Sequence, residues 1–284
     1  MIAVYIAIPV AVILGLWVLL IAPGSSRGMK KFKNVKYAHR GLHGTVDSDT
    51  FAAENSLTAF SRAVEHGFGI ELDVHVTKDG EVVVFHDDTL TRVTGKDGKI
   101  KDFTLAELRE LRLSGTEDTI PTLREVLDLV GGKVPLLVEI KETGFDHTIS
   151  EKTVEILKDY QGDYIVESFS PLAFGAFKKR LPEIQRGFLG DKLTENEQYR
   201  SFKYRLIQRF FLNIAARPAF IAMNKNRAKM FPLPLIKGLF GTATLAWTVK
   251  SQNEEAEAYK NGFDGIIFEG YLPEGAVKVD QNEA

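Results

Sequence analysis

Cysteine is absent from all 284 residues. No disulfide can form, and any metal site must be built without thiolates. That absence leaves the redox compartment open. Net charge is nearly absent too: 36 Lys and Arg stand against 38 Asp and Glu, a formal −2. A general nucleic-acid binder needs a basic surface, so that class is disfavoured. Charge is missing locally as well. Nothing from Ile2 to Ala22 is charged.

At about 1.5 Å per residue that run spans roughly 30 Å as a helix, about one hydrocarbon core. Trp17 and Tyr5 are placed to sit toward two interfaces, and Pro9 is a kink that lipid-embedded helices tolerate. A cleaved secretory signal wants a basic start, and no Lys or Arg precedes the run. A buried core helix is rarely uncharged for so long. Residues 1–24 are therefore expected to be a transmembrane anchor. Positive charge follows it at Arg27, Lys30, Lys31, Lys33 and Lys36. By the positive-inside rule this flank lies in the cytoplasm. The expectation is a single-pass protein of the cell membrane, with a linker at 25–33 and a cytoplasmic domain at 34–284.

Beyond the anchor, charged residues make up an ordinary share of the chain, 26% overall. Chemistry collects between Tyr37 and Asp88. Val35–Ala38, Phe68–Leu72 and Glu81–Phe85 read as short strands, and polar groups stand at their ends. Glu71 and Asp73 are two apart, so on a strand they share a face. Side by side they repel unless a cation lies between them, and oxygen donors suit Mg²⁺ or Ca²⁺. A solvated strand face is the other reading. His39 and His86 each close an apolar run and are followed by Arg40 and Asp87. Imidazoles titrate near neutrality and can act as general base and acid. The guanidinium fork of Arg40 suits phosphate. Together these point to a phosphoryl-group site.

The ordered motifs resemble the glycerophosphodiester phosphodiesterase family. They are His39-Arg40-Gly41, Glu54-Asn55-Ser56, Glu71-Leu72-Asp73-Val74, His86-Asp87-Asp88-Thr89-Leu90 with Arg92, Ile120-Pro121-Thr122-Leu123, Val138-Glu139-Ile140-Lys141, Ser168-Phe169-Ser170-Pro171, Ala246-Trp247-Thr248-Val249 and Gly265-Ile266-Ile267. The resemblance covers nearly everything after residue 34. It implies a TIM-type barrel and metal-dependent hydrolysis of glycerophosphodiesters to glycerol 3-phosphate and an alcohol. It implies one divalent cation, Mg²⁺ or Ca²⁺, on Glu71, Asp73 and Glu139. His39 would be the general base and His86 the acid. Arg40 and Lys141 would hold phosphoryl oxygens, Glu54 and Asn55 would lie near the site, and Trp247 would shape its glycerol side. Trp247 also reads as core, Asn55 as a turn or cap residue, and Lys141 as half of a buried Glu–Lys pair. The chain departs from the family near its end, where Phe268-Glu269-Gly270 replaces an Asp followed by Pro.

Strands beginning near Val35, Phe68, Val134, Tyr164, Gln185, Phe220, Thr242 and Gly265 alternate with helical stretches, which predicts an α/β fold, a (β/α)8 TIM-type barrel. The hairpin after Lys78-Asp79-Gly80 and the capped helices near Thr104 and Thr122 predict a small insertion after strand 2. Thr194 to Arg217 is basic and aromatic, carrying Tyr199 and Phe202 among Arg200, Lys203 and Arg205. It reads either as an outer barrel helix or as a helix lying on an anionic membrane. Phe231–Leu235 reads as an apolar rim loop. Two rivals to the family reaction remain: a lipid-directed phosphodiesterase acting on lysophospholipid or a lipoteichoic-type polymer, and a non-enzymatic membrane-tethered scaffold.

Overall fold

Eight parallel strands close on themselves in the computed structural model, which describes residues 2–47, 50–142, 144–195, 197 and 200–275, with side chains from Tyr5 onward. Chain order gives β1 (Lys36–Ala38), β2 (Gly69–Val76), β3 (Val82–Val84), β4 (Leu136–Ile140), β5 (Tyr164–Ser168), β6 (Arg186–Gly190), β7 (Phe220–Asn224), β8 (Ala243–Val249) and β9 (Gly265–Phe268). Every neighbour pair around the ring is parallel, and β1 bonds to both β9 and β2, which closes the barrel. Only β3 lies outside the ring. It returns antiparallel along β2 as the expected hairpin.

The helices are α1 (Ile2–Ile21), α2 (Leu57–Glu65), α3 (Thr91–Thr94), α4 (Leu105–Arg109), α5 (Leu123–Val130) and α6 (Thr148–Leu157), then α7 (Gly175–Arg180), α8 (Phe202–Gln208), α9 (Asn213–Ala216), α10 (Leu233–Phe240) and α11 (Gln252–Lys260). Local chemistry starts several of them. Ser56 Oγ accepts the Ala59 N–H at the head of α2. Thr104 and Thr122 each form a complete capping box, with Glu107 and Glu125, at the heads of α4 and α5.

Strand alternation divides the core. Ile70, Leu72 and Val74 of β2 join Leu136, Val138 and Ile140 of β4 in the apolar layer under the helices. The alternate residues of these strands face the barrel axis. Near the entry ends the interior is filled by Tyr37, Leu137, Ile165, Leu189, Phe220, Leu245 and Ile267. The insertion between β3 and α5 has its own small core around Val83, Phe85, Leu90, Ile100 and Ile120.

Three readings of the sequence need correction. The stretch 25–33 is no free spacer: it holds a 3₁₀ turn, Arg27–Phe32, whose Met29 and Phe32 are buried in the interior cluster. Ser26 Oγ donates to Ala219 O, and Gly24 N–H to Pro218 O. The stretch 194–217 is not one amphipathic helix but is broken into α8 and α9, with Phe210 between them at φ +61°. Its Tyr199 lies outside the described residues. Phe231–Leu235 is only partly a loop: Leu233 is buried and begins α10. At the N-terminus, the described side chains of α1 are mostly exposed and apolar. Among the described residues no helix is long and apolar enough to cross a membrane, so an anchor at 1–24 is not established by the fold.

Candidate active site

The middle of β2 supplies two acids, Glu71 and Asp73, which period-two geometry turns the same way. In register, Asp73 pairs with Glu139 on β4, and Glu139 with Glu167 on β5. Glu71, Asp73 and Glu139 are all buried, and one oxygen from each lies within 4.8 Å of the others. All three carboxylates expected at a metal centre thus converge.

Burial pushes the Glu139 carboxyl up to about 7. It pushes Glu71 well above the usual carboxylate range, with the charges of Asp73, Glu139 and Glu167 adding to the effect. Asp73 goes the other way: burial would raise it, but Lys141, His86 and Arg40 outweigh that and hold it far down. Lys141 Nζ lies 2.8 Å from both Asp73 Oδ1 and Glu139 Oε2. It is therefore an ammonium lodged between two acids, and they raise it despite burial. The group as a whole carries more acid than base, and all its donors are hard oxygens, which fits Mg²⁺ or Ca²⁺.

The turn after β1 positions Arg40. Arg40 and Gly41 are both left-handed, at φ +56° and +79°. A Cβ on Gly41 would stand 2.9 Å from Ala59, so only glycine fits the turn. The turn aims the Arg40 N–H at Glu71 Oε2, 2.9 Å away, while Nη1 donates to Glu54 Oε1 at 2.9 Å. Arg40 Nε is buried, and no acceptor among the described residues takes its proton. It is 3.8 Å from Asp73 Oδ2. A free N–H beside the carboxylates is what an incoming phosphoryl oxygen would use.

Each histidine is held by a carboxylate through Nδ1. His39 Nδ1 lies 2.7 Å from Glu269 Oε2, and His86 Nδ1 lies 2.6 Å from Asp87 Oδ1. Nε2 of each ring is left to exchange a proton. Burial lowers the His86 imidazole below its ordinary value, partly offset by Asp73. The hydrogen bond from His39 brings Glu269 down to about 2. Arg92 ties the two halves together: it donates to Asp87 through Nε at 2.6 Å and to Glu54 through Nη1 at 2.8 Å. Glu54 is thus a bracket between Arg40 and Arg92. Trp247 packs with the apolar interior cluster. Its indole N–H donates to Ala222 O at 3.1 Å, and its ring meets Phe169 edge-on at 5.9 Å.

Asn55, expected either near the site or as a turn or cap residue, is no cap: at φ +53° its Nδ2 donates to Asp73 Oδ2 at 2.9 Å, and Ser56 is the cap. Several contributors were not recognised from the sequence. Glu269 was noted only as a departure, yet it follows the end of β9 just as His39 follows β1. Asp87 and Arg92 were part of a motif without a role. Glu167 is buried at the exit of β5, its Oε2 without a partner among the described residues.

The chain matches the glycerophosphoryl diester phosphodiesterase family over residues 39–270. It belongs to that family. A glycerophosphodiester phosphodiesterase of Caldanaerobacter subterraneus subsp. tengcongensis is 34% identical over 251 residues, 83% of this chain and 93% of its own. An Oleispira antarctica phosphodiesterase, solved with the product sn-glycerol-3-phosphate, superposes with a TM-score of 0.68 at 27% identity, covering 84% of this chain and 94% of that one. Human lysophospholipase D GDPD1 is 31% identical over 152 residues, 49% of this chain and 46% of its own. As a family member with the full barrel, this chain hydrolyses glycerophosphodiesters to glycerol 3-phosphate and an alcohol.

Proposed function

We propose that this phosphodiesterase works by general acid–base catalysis across the carboxylate cluster. The reading is carried by one observation: three buried acids within 4.8 Å of one another, with Arg40 and Lys141 in contact with them. Glu71, Asp73 and Glu139 would hold a divalent cation. When bound, such an ion supplies Lewis-acid polarisation of a phosphoryl oxygen. Arg40 binds another phosphoryl oxygen through its free Nε–H, and Lys141 adds positive charge beside the phosphorus. His39, steadied by Glu269, takes the proton of the attacking oxygen at Nε2. His86, steadied by Asp87, delivers a proton to the departing alkoxide. Trp247 and Phe169 form an apolar wall at the mouth where a glycerol carbon chain can rest.

The further reading is a membrane-bound enzyme with an anchor at 1–24 and its barrel on the cytoplasmic side. It is supported by the uncharged run Ile2–Ala22, the exposed apolar side chains of α1 and the basic flank from Arg27 to Lys36. An amphiphilic phosphodiester is the second substrate reading, favoured by that helix and by the similarity to a lysophospholipase D.

The test is a release assay for glycerol 3-phosphate from glycerophosphodiesters of different headgroups, on protein treated with EDTA and then resupplied with Mg²⁺ or Ca²⁺. Activity should vanish and return. Undiminished turnover in metal-free protein would remove the cation from the carboxylate cluster. Protease accessibility in sealed vesicles of known orientation tests the sidedness of the barrel, and digestion from the outer face would refute a cytoplasmic domain.

A further inference from the structure

Eight large apolar side chains are exposed among the described residues outside α1. Five of them stand in the connections that follow the carboxyl ends of strands, Leu172 in a 3₁₀ turn and Phe202 as the first residue of α8. Phe51 follows β1, Phe145 follows β4, Leu172 follows β5, Phe202 follows β6 and Phe231 follows β7. The barrel mouth is thus rimmed by apolar groups from five separate strand-to-helix connections, and Phe145 and Phe202 are 86% and 72% exposed. A protein or peptide partner is met by one contiguous patch. Separate apolar tips around a mouth match a plane into which each can dip.

The path of α1 indicates which plane. Asn213 Nδ2 donates to Ile21 O, and Gly24 N–H to Pro218 O, just before β7 enters the barrel. Trp17 instead stacks on Phe231 at 5.6 Å, beyond the exit of β7. Followed backward from Ile21, the helix climbs from the foot of the barrel to its mouth. Residues before Trp17 therefore project on the side that carries the active site. Their described apolar side chains, from Tyr5 to Leu16, are exposed.

A basic cavity lies on the same side. After β6, a space of about 500 Å³ is lined by Lys192, Thr194, Arg200, Arg205, Gln208 and Arg209; Lys192 is paired with Glu195 at 3.0 Å and Arg200 with Glu197 at 3.2 Å, while Arg205 and Arg209 have no carboxylate partner among the described residues. Arg209 Nη1 donates to Phe231 O, so this cavity is joined to the loop on which Trp17 rests.

We infer that the barrel mouth is a membrane-contact face. The five apolar tips enter the interface of an anionic bilayer, a phosphate-bearing headgroup occupies the basic cavity after β6, and the active site opens onto the lipid surface. Apolar burial and attraction to anionic lipid then act together. The inference builds on the phosphodiesterase reading by naming where the substrate comes from: an amphiphilic phosphodiester held in that surface.

The experiment uses the full chain, reconstituted in vesicles, with a tryptophan introduced at the rim by Phe145→Trp or Phe202→Trp. One vesicle set is phosphatidylcholine alone, the other phosphatidylcholine with phosphatidylglycerol, and both carry brominated acyl chains. Emission from each new tryptophan, over the background of Trp17 and Trp247, should be quenched, and more strongly with the anionic lipid. Unquenched emission at either position in anionic vesicles overturns the membrane-contact face. Equal quenching in the two vesicle sets overturns the headgroup site. A paired activity measurement keeps catalysis separate. Phe145→Ser with Phe202→Ser should lower turnover of a vesicle-held lysophospholipid at least threefold while leaving a soluble glycerophosphodiester unchanged, and equal effects on both would count against surface delivery. Loss of activity on the soluble diester by the unsubstituted protein would indict the phosphodiesterase reading without touching the quenching result.

Discussion

His39 and Glu269 meet at the seam where the barrel closes. Ala38 and Phe268 are paired across β1 and β9. The His39 N–H donates to Phe268 O at 2.9 Å, and its ring nitrogen Nδ1 lies 2.7 Å from Glu269 Oε2. Closure of the sheet therefore fixes the backbone and the ring of one histidine at once. Fixing Nδ1 on a carboxylate sets which ring nitrogen faces the substrate.

Glu269→Gln keeps the shape and removes the charge. Turnover should fall about 10-fold or more with little change in KM, because the residue acts through His39 and not on the substrate. The pair also has a stability signature. Glu269 is depressed to about 2 in the folded protein, below its unfolded range near 4.5. Its contribution is therefore present above about pH 4.5 and is lost as pH falls through about 2. Glu269→Gln should flatten the acid side of the thermal stability curve between those values. An unchanged curve would mean that the carboxylate gains nothing from His39.

The two imidazoles should be indispensable to a similar degree. His39→Ala and His86→Ala are each expected to cost at least about 10²-fold in turnover, the lower end for general acid–base catalysis. Steady-state kinetics on a soluble glycerophosphodiester with an activated leaving group separates the roles. A good leaving group needs no proton, so it should rescue the variant that lacks the acid and not the one that lacks the base. Rescue of His39→Ala in place of His86→Ala would reverse the assignment.

The carboxylate cluster trades stability for function. Burial, with the charges of Asp73 and Glu139 adding to it, raises Glu71 strongly, so above the ordinary carboxylate range this group opposes folding in the absence of a cation. In EDTA, Glu71→Gln should melt higher than the parent chain. With millimolar Mg²⁺ or Ca²⁺ the order should reverse, since the parent gains binding energy that the variant lacks. Differential scanning fluorimetry with and without cation decides this, and a parent melting temperature that does not respond to either ion would sink the site.

Much of the barrel was legible because its strands are short apolar runs with punctuated ends, and each carries its polar residues where the run stops. Glu71, Asp73, Glu139, His39 and His86 could be found that way. Glu269 could not be given a role, because its partner lies at the other end of the chain and only closure of β1 on β9 brings them together. Asn55 stayed between a place near the site and a turn or cap role for a different reason. Turn chemistry and a bond to a buried acid both favour Asn in the left-handed region, and sequence gives no means to choose. Lys141 was expected to meet phosphate, with a buried Glu–Lys pair as the other reading, and in the fold it bridges Asp73 and Glu139. The packing of Arg27–Phe32 under the barrel was hidden by its basic residues, which advertise a solvated flank while Met29 and Phe32 point inward.

That underside gives the last prediction. Phe32 is 2% exposed and lies with Met29 against Tyr37, Phe220 and other interior residues at the entry end of the barrel. Replacing a buried Phe by Ala removes its transfer energy and leaves a cavity, at a cost of about 3–5 kcal/mol. Phe32→Ala should therefore lower the melting temperature by several degrees. The catalytic groups sit at the opposite end, where the strands exit, so KM and turnover below the melting transition should be those of the parent. If 25–33 were a spacer between an anchor and an independent barrel, the substitution would leave the melting temperature in place, and denaturation of the purified chain followed by circular dichroism distinguishes the two outcomes.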